Sequence, residues 1–241
     1  MNPTAAPAGA AQASPSQTLS RGIRALEILA AAQNPLTIAE LADAMGVHRS
    51  VAYRILRTLE DHSLLVRDDA GRVQPGPGLA VLARGVSRSL QAAALPELTH
   101  LANTLDMTAF VAVWDHLDCI TLVTVEPRHS GATVAQHPGT RHPISAGAPG
   151  IAIQSALSEA EWAQLAPGIP YRPEAGDARR AGYSASHDEV IAGVSSLAAP
   201  VRVPGGRPAA LAVVYIRSSH DPATVGAALA ESAARIERQL A

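Results

Sequence analysis

Lysine is absent from this sequence, and cysteine and aromatic residues are scarce. All 19 basic residues are arginine, so the chain has no Walker A lysine and no amine for Schiff-base chemistry. A single cysteine, Cys119, excludes a disulfide framework and any multi-cysteine zinc or iron–sulfur site. Because aromatic residues make up only 3% of the chain, the core must be built from Ala, Val, Leu and Ile. No run of about 18 apolar residues occurs, so no membrane span is predicted.

The length and the charge distribution predict two domains of different character. A chain of 241 residues is long enough to bury two cores. Residues 1–17 are rich in Ala, Pro, Ser and Gln and lack the basic residues of a targeting signal, so we expect a disordered tail and a cytoplasmic protein. Arginines exceed acids by two over residues 18–91, whereas acids exceed arginines by four over 92–241. This split permits a polyanion-facing first domain.

The first domain, predicted over residues 18–76, begins with two helices. Apolar residues at helical spacing predict an amphipathic helix over 18–33. The residues expected to face the core are Leu19, Ile23, Leu26 and Ala30. Thr37 and Glu40 have the spacing of a capping box, which predicts a short second helix over 37–45.

A glycine turn, a longer helix and a hairpin complete the first domain. Gly46 precedes a third helix predicted over 48–62. Two short strands, 64–67 and 72–74, flank the sequence Asp-Asp-Ala-Gly, which is a strong hairpin signal. Helix, short helix, turn, helix and hairpin in this order are typical of a winged helix-turn-helix.

The outward face of the third predicted helix is basic. Arginine can contact guanine with two hydrogen bonds or bind phosphate, so this face favours the major groove of double-stranded operator DNA. The residues predicted to contact DNA are Thr37, Arg49, Ser50, Tyr53, Arg54, Arg57, Arg67 and Arg72, the last two beside the hairpin. The alternative is an ordinary solvated face, but the acids Glu60 and Asp61 lie only at the far end of the helix.

Residues 77–94 are predicted to form a linker helix. An apolar stripe on this helix is narrow enough to pair with a second copy of the chain, and packing on its own chain is the alternative. Its members are Leu79, Leu82, Val86 and Leu90. We therefore expect a homodimer. A further helix is predicted over 95–105, beginning near Pro96.

Residues 95–241 predict a mixed domain, so the fold class is α+β. Four strands are expected over 110–114, 119–125, 196–203 and 209–217, paired as two hairpins, and a closing helix over 221–240. Strands of this kind fit an antiparallel sheet covered by helices on one face. Folds of this class often enclose one small ligand.

No pattern in the chain predicts a catalytic site, a metal site or a cofactor. None of the nine histidines has the spacing of a zinc site. Ser186, Asp188 and Glu189 are interpreted as a helix N-cap with two acids in its first turn. Cys119 lies within a predicted strand and is interpreted as a small buried apolar residue. We therefore expect a binding protein, with no catalytic residues, rather than an enzyme.

Several segments together resemble the IclR family of bacterial transcriptional regulators. They are SRGIRALEIL, LTIAELADAMGVHRSVAYRILRTLEDHSLL and RRAGYSASHDEVIAGVSSLAAPV, and the likeness extends over about residues 18–240. The resemblance implies a winged helix, a dimerising linker helix and a GAF-like domain that binds a small organic effector, with dimers that pair into tetramers. It also implies a regulator of a catabolic operon, most often a repressor.

The same resemblance implies an effector site in the second domain. Its residues are Gly147, Ala148, Ser186, Val194, Ser196, Val213 and Tyr215. Where the family usually has a glycine–lysine pair, this chain has Gly150 and Ile151, so that cation is absent. We therefore expect an aromatic effector or a monocarboxylate held by backbone N–H groups at the helix start over 147–150. The alternative function is a GAF-like ligand-binding or enzymatic domain joined to a helical protein-interaction module.

Overall fold

The computed structural model describes residues 16–128 and 134–241, which form two compact units that divide between Val86 and Ser87. Residues 1–15 of the predicted tail lie outside the described residues. The end of that predicted tail is wrong, because Gln17 is already helical and Ser16 caps the helix by accepting from the Leu19 N–H.

The first unit is a winged helix-turn-helix, as predicted. Its elements are α1 (Gln17–Ala31), α2 (Ile38–Met45), α3 (Arg49–Asp61), β1 (Leu65–Arg67) and β2 (Val73–Pro75). The capping box is present: Thr37 Oγ1 accepts from the Glu40 N–H, and the Glu40 carboxylate accepts from the Thr37 N–H. Gly46 ends α2 with a φ of 63°, a conformation that glycine adopts without strain. β1 and β2 pair antiparallel as the wing.

The face of α1 that packs on the core differs from the prediction. Gly22, Ala25 and Leu29 are buried, whereas Leu19 and Ile23 are 64% and 50% exposed. The smaller residues let α1 approach α3 closely: a Cβ at Gly22 would lie 4.0 Å from Cγ2 of Ile55. The larger apolar residues Leu19 and Ile23 therefore lie on the outer face of α1, where they can contact another apolar surface.

The predicted linker helix is also wrong in form. It is divided into α4 (Gly78–Ala83) and the start of α5 (Arg88–Leu105). Ser87 interrupts the helical path with a φ of 46°, and α5 then continues through Pro96 instead of beginning there. Because of the break, Leu90 does not continue the stripe of Leu82 and Val86; it is buried in the core of the second unit.

The second unit is built around a six-stranded sheet over the described residues. Its strands are β3 (Thr108–Asp115), β4 (Asp118–Val125), β5 (Arg141–Pro143), β6 (Ser184–His187), β7 (Ser195–Val201) and β8 (Ala209–Tyr215). Their order is β5-β4-β3-β8-β7-β6. All neighbouring pairs are antiparallel, as predicted. The remaining helices are α6 (Gly147–Ser155), α7 (Glu159–Leu165), α8 (Pro173–Ala181) and α9 (Pro222–Leu240).

Helices cover both faces of this sheet, not one as predicted. On β3, Ala109 and Val111 pack with α5 and α9. Phe110 and Ala112 point the other way and pack with α6 and α7. Both faces of the central strands are buried, so their sequences show no apolar–polar alternation.

Ser186 does not cap a helix of its own. It lies in β6, which pairs with β7 at the edge of the sheet, and residues 188–193 that follow are non-helical. Asp188 has a φ of 60°, which turns the chain away from a first helical turn. Pairing with β7 satisfies the backbone groups that a helix would otherwise have bonded.

Candidate functional sites

The exposed face of α3 brings five of the predicted DNA contacts together. Ala52, Ile55 and Leu56 anchor the opposite face in the core. The exposed residues are Arg49, Ser50, Tyr53, Arg54 and Arg57. Among the described residues, no acidic side chain forms an ion pair with any of these three arginines. Their guanidinium groups are therefore available to bases or phosphates.

The residue before α3 caps it. Nδ1 of His48 accepts from the Ser50 N–H at 3.3 Å and lies 2.8 Å from Ser50 Oγ. An N-cap normally carries Ser, Thr, Asp or Asn, so a histidine here replaces the usual oxygen acceptor by a ring nitrogen. The first turn of α3, with Arg49 and Ser50, is thereby held in place.

Three other predicted DNA contacts are bonded within the first unit. Thr37 is engaged in its capping box. Nε of Arg67 donates to both carboxylate oxygens of Glu60 at 3.0 and 3.1 Å, and its guanidinium lies 5.8 Å from the Tyr53 ring centroid. Arg72 donates to the Pro35 carbonyl at 3.2 Å. These contacts fix the wing beside α3.

The second unit contains a cavity of about 50 Å³ between the start of α6 and one face of the sheet. Its lining is apolar with a few polar groups: Phe110, Gln136, His142, Gly147, Pro149, Ser186, Glu189, Val190, Ile191, Val194, Ser196 and Val214. Small-molecule sites have linings of this composition, but their volumes of about 300–1,000 Å³ are several times larger.

Four of the seven residues implied as an effector site line this cavity: Gly147, Ser186, Val194 and Ser196. Ala148 is buried beside them. Val213 and Tyr215 lie on the opposite face of the sheet, against α5 and α9. Val214 faces the cavity instead, because neighbouring residues of a strand point to opposite faces.

The backbone N–H groups at the start of α6 are already bonded. The Gly147 N–H donates to Oε2 of Glu189 at 2.9 Å, and the Ala148 N–H donates to Oγ of Ser186 at 2.8 Å. These are the N–H groups that the sequence predicts to hold an effector carboxylate. Instead, two side chains from β6 and the segment after it cap α6.

Glu189 is held in turn by an arginine that the sequence analysis missed. Arg172 donates to Oε2 of Glu189 at 2.6 Å and to Oε1 at 3.2 Å, and its second carboxylate partner is Glu174 at 2.9 Å. The Arg172 hydrogen bonds and, more weakly, the Gly147 N–H hold the pKa of Glu189 below its usual value, against the effect of burial. Because 17 residues separate Arg172 from Glu189, no local pattern indicates this pair.

Two further polar residues of the lining were also missed. Burial lowers the pKa of His142, although hydrogen bonds to backbone carbonyls oppose the shift, so its ring is neutral at pH 7. Nε2 of Gln136 donates to Oγ1 of Thr121 at 2.6 Å. Both residues precede α6 in the sequence, and neither belongs to a motif that would have indicated its place in the lining.

Within residues 16–128 and 134–241, no three His, Cys, Asp or Glu side chains are grouped as a metal site would require. Burial raises the pKa of the Cys119 thiol far above its usual value, which makes it a poor nucleophile. No helix in these ranges is both long and apolar enough to cross a bilayer.

The first unit matches a known domain family. Residues 18–69, from α1 into the wing, match the model of the IclR helix-turn-helix domain. A helix-turn-helix-type transcriptional regulator of Mycobacterium tuberculosis is 30% identical over 154 residues, which are 63% of this chain and 58% of that protein. The glycerol operon regulatory protein of Streptomyces coelicolor is 27% identical over 201 residues, 77% of this chain and 78% of that protein.

The fold of both units also matches solved regulators. The IclR transcriptional regulator of Alicyclobacillus acidocaldarius superposes with a TM-score of 0.79 and 25% identity, over 95% of this chain and all of that one. An IclR homologue of Microbacterium hydrocarbonoxydans, solved with 4-hydroxybenzoate, has a TM-score of 0.78 and 24% identity, over 93% and 99% of the two chains. The chain therefore carries an IclR helix-turn-helix domain in its first unit and has the fold of IclR transcriptional regulators over both units.

Proposed function

We propose that the chain is a transcriptional regulator that reads operator DNA with α3 and releases or engages it when a small organic effector binds the second unit. The observation that carries DNA recognition is the exposed face of α3, where three arginines have no acidic partner in the described part of the chain. We also propose that this regulator represses a catabolic operon and that it acts in the cytoplasm.

Electrophoretic mobility shift with the gene's own upstream intergenic DNA tests DNA recognition. We expect Arg49→Ala and Arg54→Ala each to cost about 1–3 kcal/mol of operator affinity and to relax the preference at one base pair. Arg238→Ala, an exposed arginine of α9, is the matched control and should leave the affinity unchanged. Equal affinity of all three variants would favour the alternative, a protein-interaction module.

Arg67 and Arg72 are proposed to contact the DNA backbone. Arg67 bonds Glu60 through Nε alone, so its remaining N–H donors can still reach a phosphate. Replacing either arginine by alanine should weaken binding to all sequences alike and reduce the salt slope by about one. Thr37 and Ser50 are proposed as further contacts through their hydroxyl groups.

Two copies of the chain are proposed to act together, because two recognition helices must meet half-sites about one DNA turn apart. Exposed apolar side chains on α1 and α4 support a homodimer, and pairing of dimers would give a tetramer. The most exposed of them are Leu19, Val81 and Leu82.

The effector is proposed to be a small, largely apolar or aromatic molecule with one or two hydrogen-bonding groups. The lining supports this class, because apolar side chains surround the hydroxyls of Ser186 and Ser196. The cavity of about 50 Å³ is smaller than the ~150 Å³ that holds benzene in an engineered protein, so binding requires the cavity to widen. We propose that it widens by outward movement of Val190 and Ile191, two exposed side chains of its lining. Both are about half exposed.

A further inference from the structure

The protein supplies its own carboxylate to the start of α6. Oε2 of Glu189 lies 2.9 Å from the Gly147 nitrogen, in the position where the N-terminus of a helix attracts an anion. Gly147 has a φ of 81°, and the position is tightly covered, since a Cβ there would lie 2.9 Å from Cγ2 of Val190. The first turn of α6 is therefore occupied from within the chain.

Arg172 prevents Glu189 from leaving this position easily. Its two contacts with Glu189 are 2.6 and 3.2 Å long, and the same guanidinium also donates to the Ser145 carbonyl at 3.2 Å. The side chains of Arg172 and Glu189 are only 17% and 28% exposed, so water screens their attraction less than it screens a surface pair.

Glu189 also forms part of the wall of the cavity. If a ligand carboxylate lay against the start of α6, the first N–H donors of the helix would already be bonded. The fixed negative charge of Glu189 would lie beside it. Arg172 could not compensate, because its charge is shared between two carboxylates, Glu189 and Glu174. A neutral ligand with a hydroxyl or N–H group is favoured instead, because that group can donate to a Glu189 oxygen.

We propose that Glu189 is a specificity-determining residue that makes this cavity select neutral organic molecules with a hydrogen-bond donor and reject carboxylates. The inference rests on the proposed function, in which the cavity is the effector site. It narrows the proposed effector to alcohols, phenols and amides. The ligand class of this chain would then differ from that of the relative solved with 4-hydroxybenzoate, which is a carboxylate.

Matched pairs of probes that differ in one ionised group test the selectivity. Calorimetry on the full chain would compare benzamide with benzoate and 4-hydroxybenzamide with 4-hydroxybenzoate. The wild type should bind the amides at least tenfold more tightly than the acids. Glu189→Ala and Glu189→Gln should each bind the acids at least tenfold more tightly than the wild type does.

The matched control is Glu174→Ala. Glu174 is the other carboxylate on Arg172, but its side chain is 53% exposed and it does not line the cavity. Its removal relieves one of the two carboxylates on Arg172 but leaves Glu189 on the Gly147 N–H, so the preference for amides should persist and fall far less than it does in Glu189→Ala. If Glu174→Ala admits the acids as well as Glu189→Ala does, the selectivity belongs to the whole cluster and the assignment to Glu189 is wrong.

A second measurement observes the start of α6 directly, through the backbone N–H of Gly147. In protein labelled with [¹⁵N]glycine, benzoate should shift the Gly147 amide resonance of Glu189→Ala and leave that of the wild type in place. A shift of similar size in both proteins, or in neither, would overturn the inference.

Operator binding in the presence of each probe separates this inference from the proposed function. If amides bind as expected and leave the affinity for DNA unchanged, the selectivity of Glu189 holds and the proposed effector control fails. If benzoate binds the wild type tightly and changes its affinity for DNA, effector control holds and Glu189 is displaced, which contradicts the inference.

Discussion

At the scale of single residues, the start of α6 depends on a glycine that no side chain can replace. A Cβ on Gly150 would lie 2.1 Å from the carbonyl oxygen of Ile144, a backbone atom that cannot turn aside. Gly150→Ala should therefore destabilise the second unit by about 1–3 kcal/mol, as overpacking does elsewhere. The chain's two tryptophans, Trp114 and Trp162, lie in the core of this unit, so their fluorescence in urea measures its unfolding.

Gly176 provides the control for this substitution. It also lies within a helix, α8, but a Cβ there would meet only Nη1 of Arg180, at 3.9 Å. Gly176→Ala should be neutral or stabilise the unit by up to about 1 kcal/mol, because alanine is the better helix former. Equal losses for both variants would mean that Ile144 yields to the added methyl group.

The residues that sequence reasoning placed correctly are those whose roles are local. The capping box of Thr37 and Glu40 and the left-handed Gly46 depend on neighbours within four residues, and a sequence displays such neighbours directly. The pair of Arg172 and Glu189 depends on two distant segments that only the fold brings together.

At the scale of elements, periodicity predicted the four long strands of the second unit but neither the short strands β5 and β6 nor the direction in which the side chains point. β8 is buried on both faces over nearly its whole length, so a shift of one residue leaves its apolar pattern unchanged. The family resemblance implied Val213 at the cavity, but Val214 lines it, and the uniform burial of β8 left no sequence pattern that reveals this offset of one residue. The break at Ser87 was missed for a similar reason, since the apolar spacing continues across it.

The packing of α5 against α9 includes an ion pair that makes stability depend on pH. Arg235 donates to both oxygens of Glu97 at 2.9 and 2.8 Å, and the Glu97 side chain is only 12% exposed. Its hydrogen bonds with Arg235 hold the pKa of Glu97 below its ordinary value of 4.5. A lowered pKa in the folded state means that the stabilisation is present above pH 4.5 and is lost as the pH falls through the folded value.

Glu97→Gln should therefore lower the free energy of unfolding by about 1–3 kcal/mol at pH 7, and the difference from the wild type should shrink at pH 3. Tryptophan fluorescence in urea measures the free energy of unfolding at each of these pH values. Glu231→Gln is the control: this residue lies 3.9 Å from the same arginine but is 76% exposed, so its loss should cost less than about 1 kcal/mol. A Glu97→Gln effect that is the same at both pH values would contradict the ion-pair account.

At the scale of the whole molecule, the exposed apolar side chains of α4 bear on assembly. Val81 and Leu82 are 65% and 67% exposed, and Leu90, expected on the same stripe, is buried in the second unit. The apolar stripe predicted for the linker helix is therefore shorter than expected and is limited to α4 and the turn after it. The outer face of α1, with Leu19 and Ile23, adds a second apolar surface in the first unit.

Leu82→Asp should convert the assembly to single chains, because burying an unpaired carboxylate in an apolar interface is unfavourable. Light scattering at micromolar concentration should give at least twice the 24.9 kDa chain mass for the wild type and close to one chain mass for the variant. Operator affinity should fall in parallel, since one chain reaches only one half-site. Leu117→Asp, at a side chain of similar exposure in the β3–β4 turn, should retain both the dimer mass and the affinity. A wild type that scatters as one chain while still binding its operator tightly would show that one recognition helix suffices.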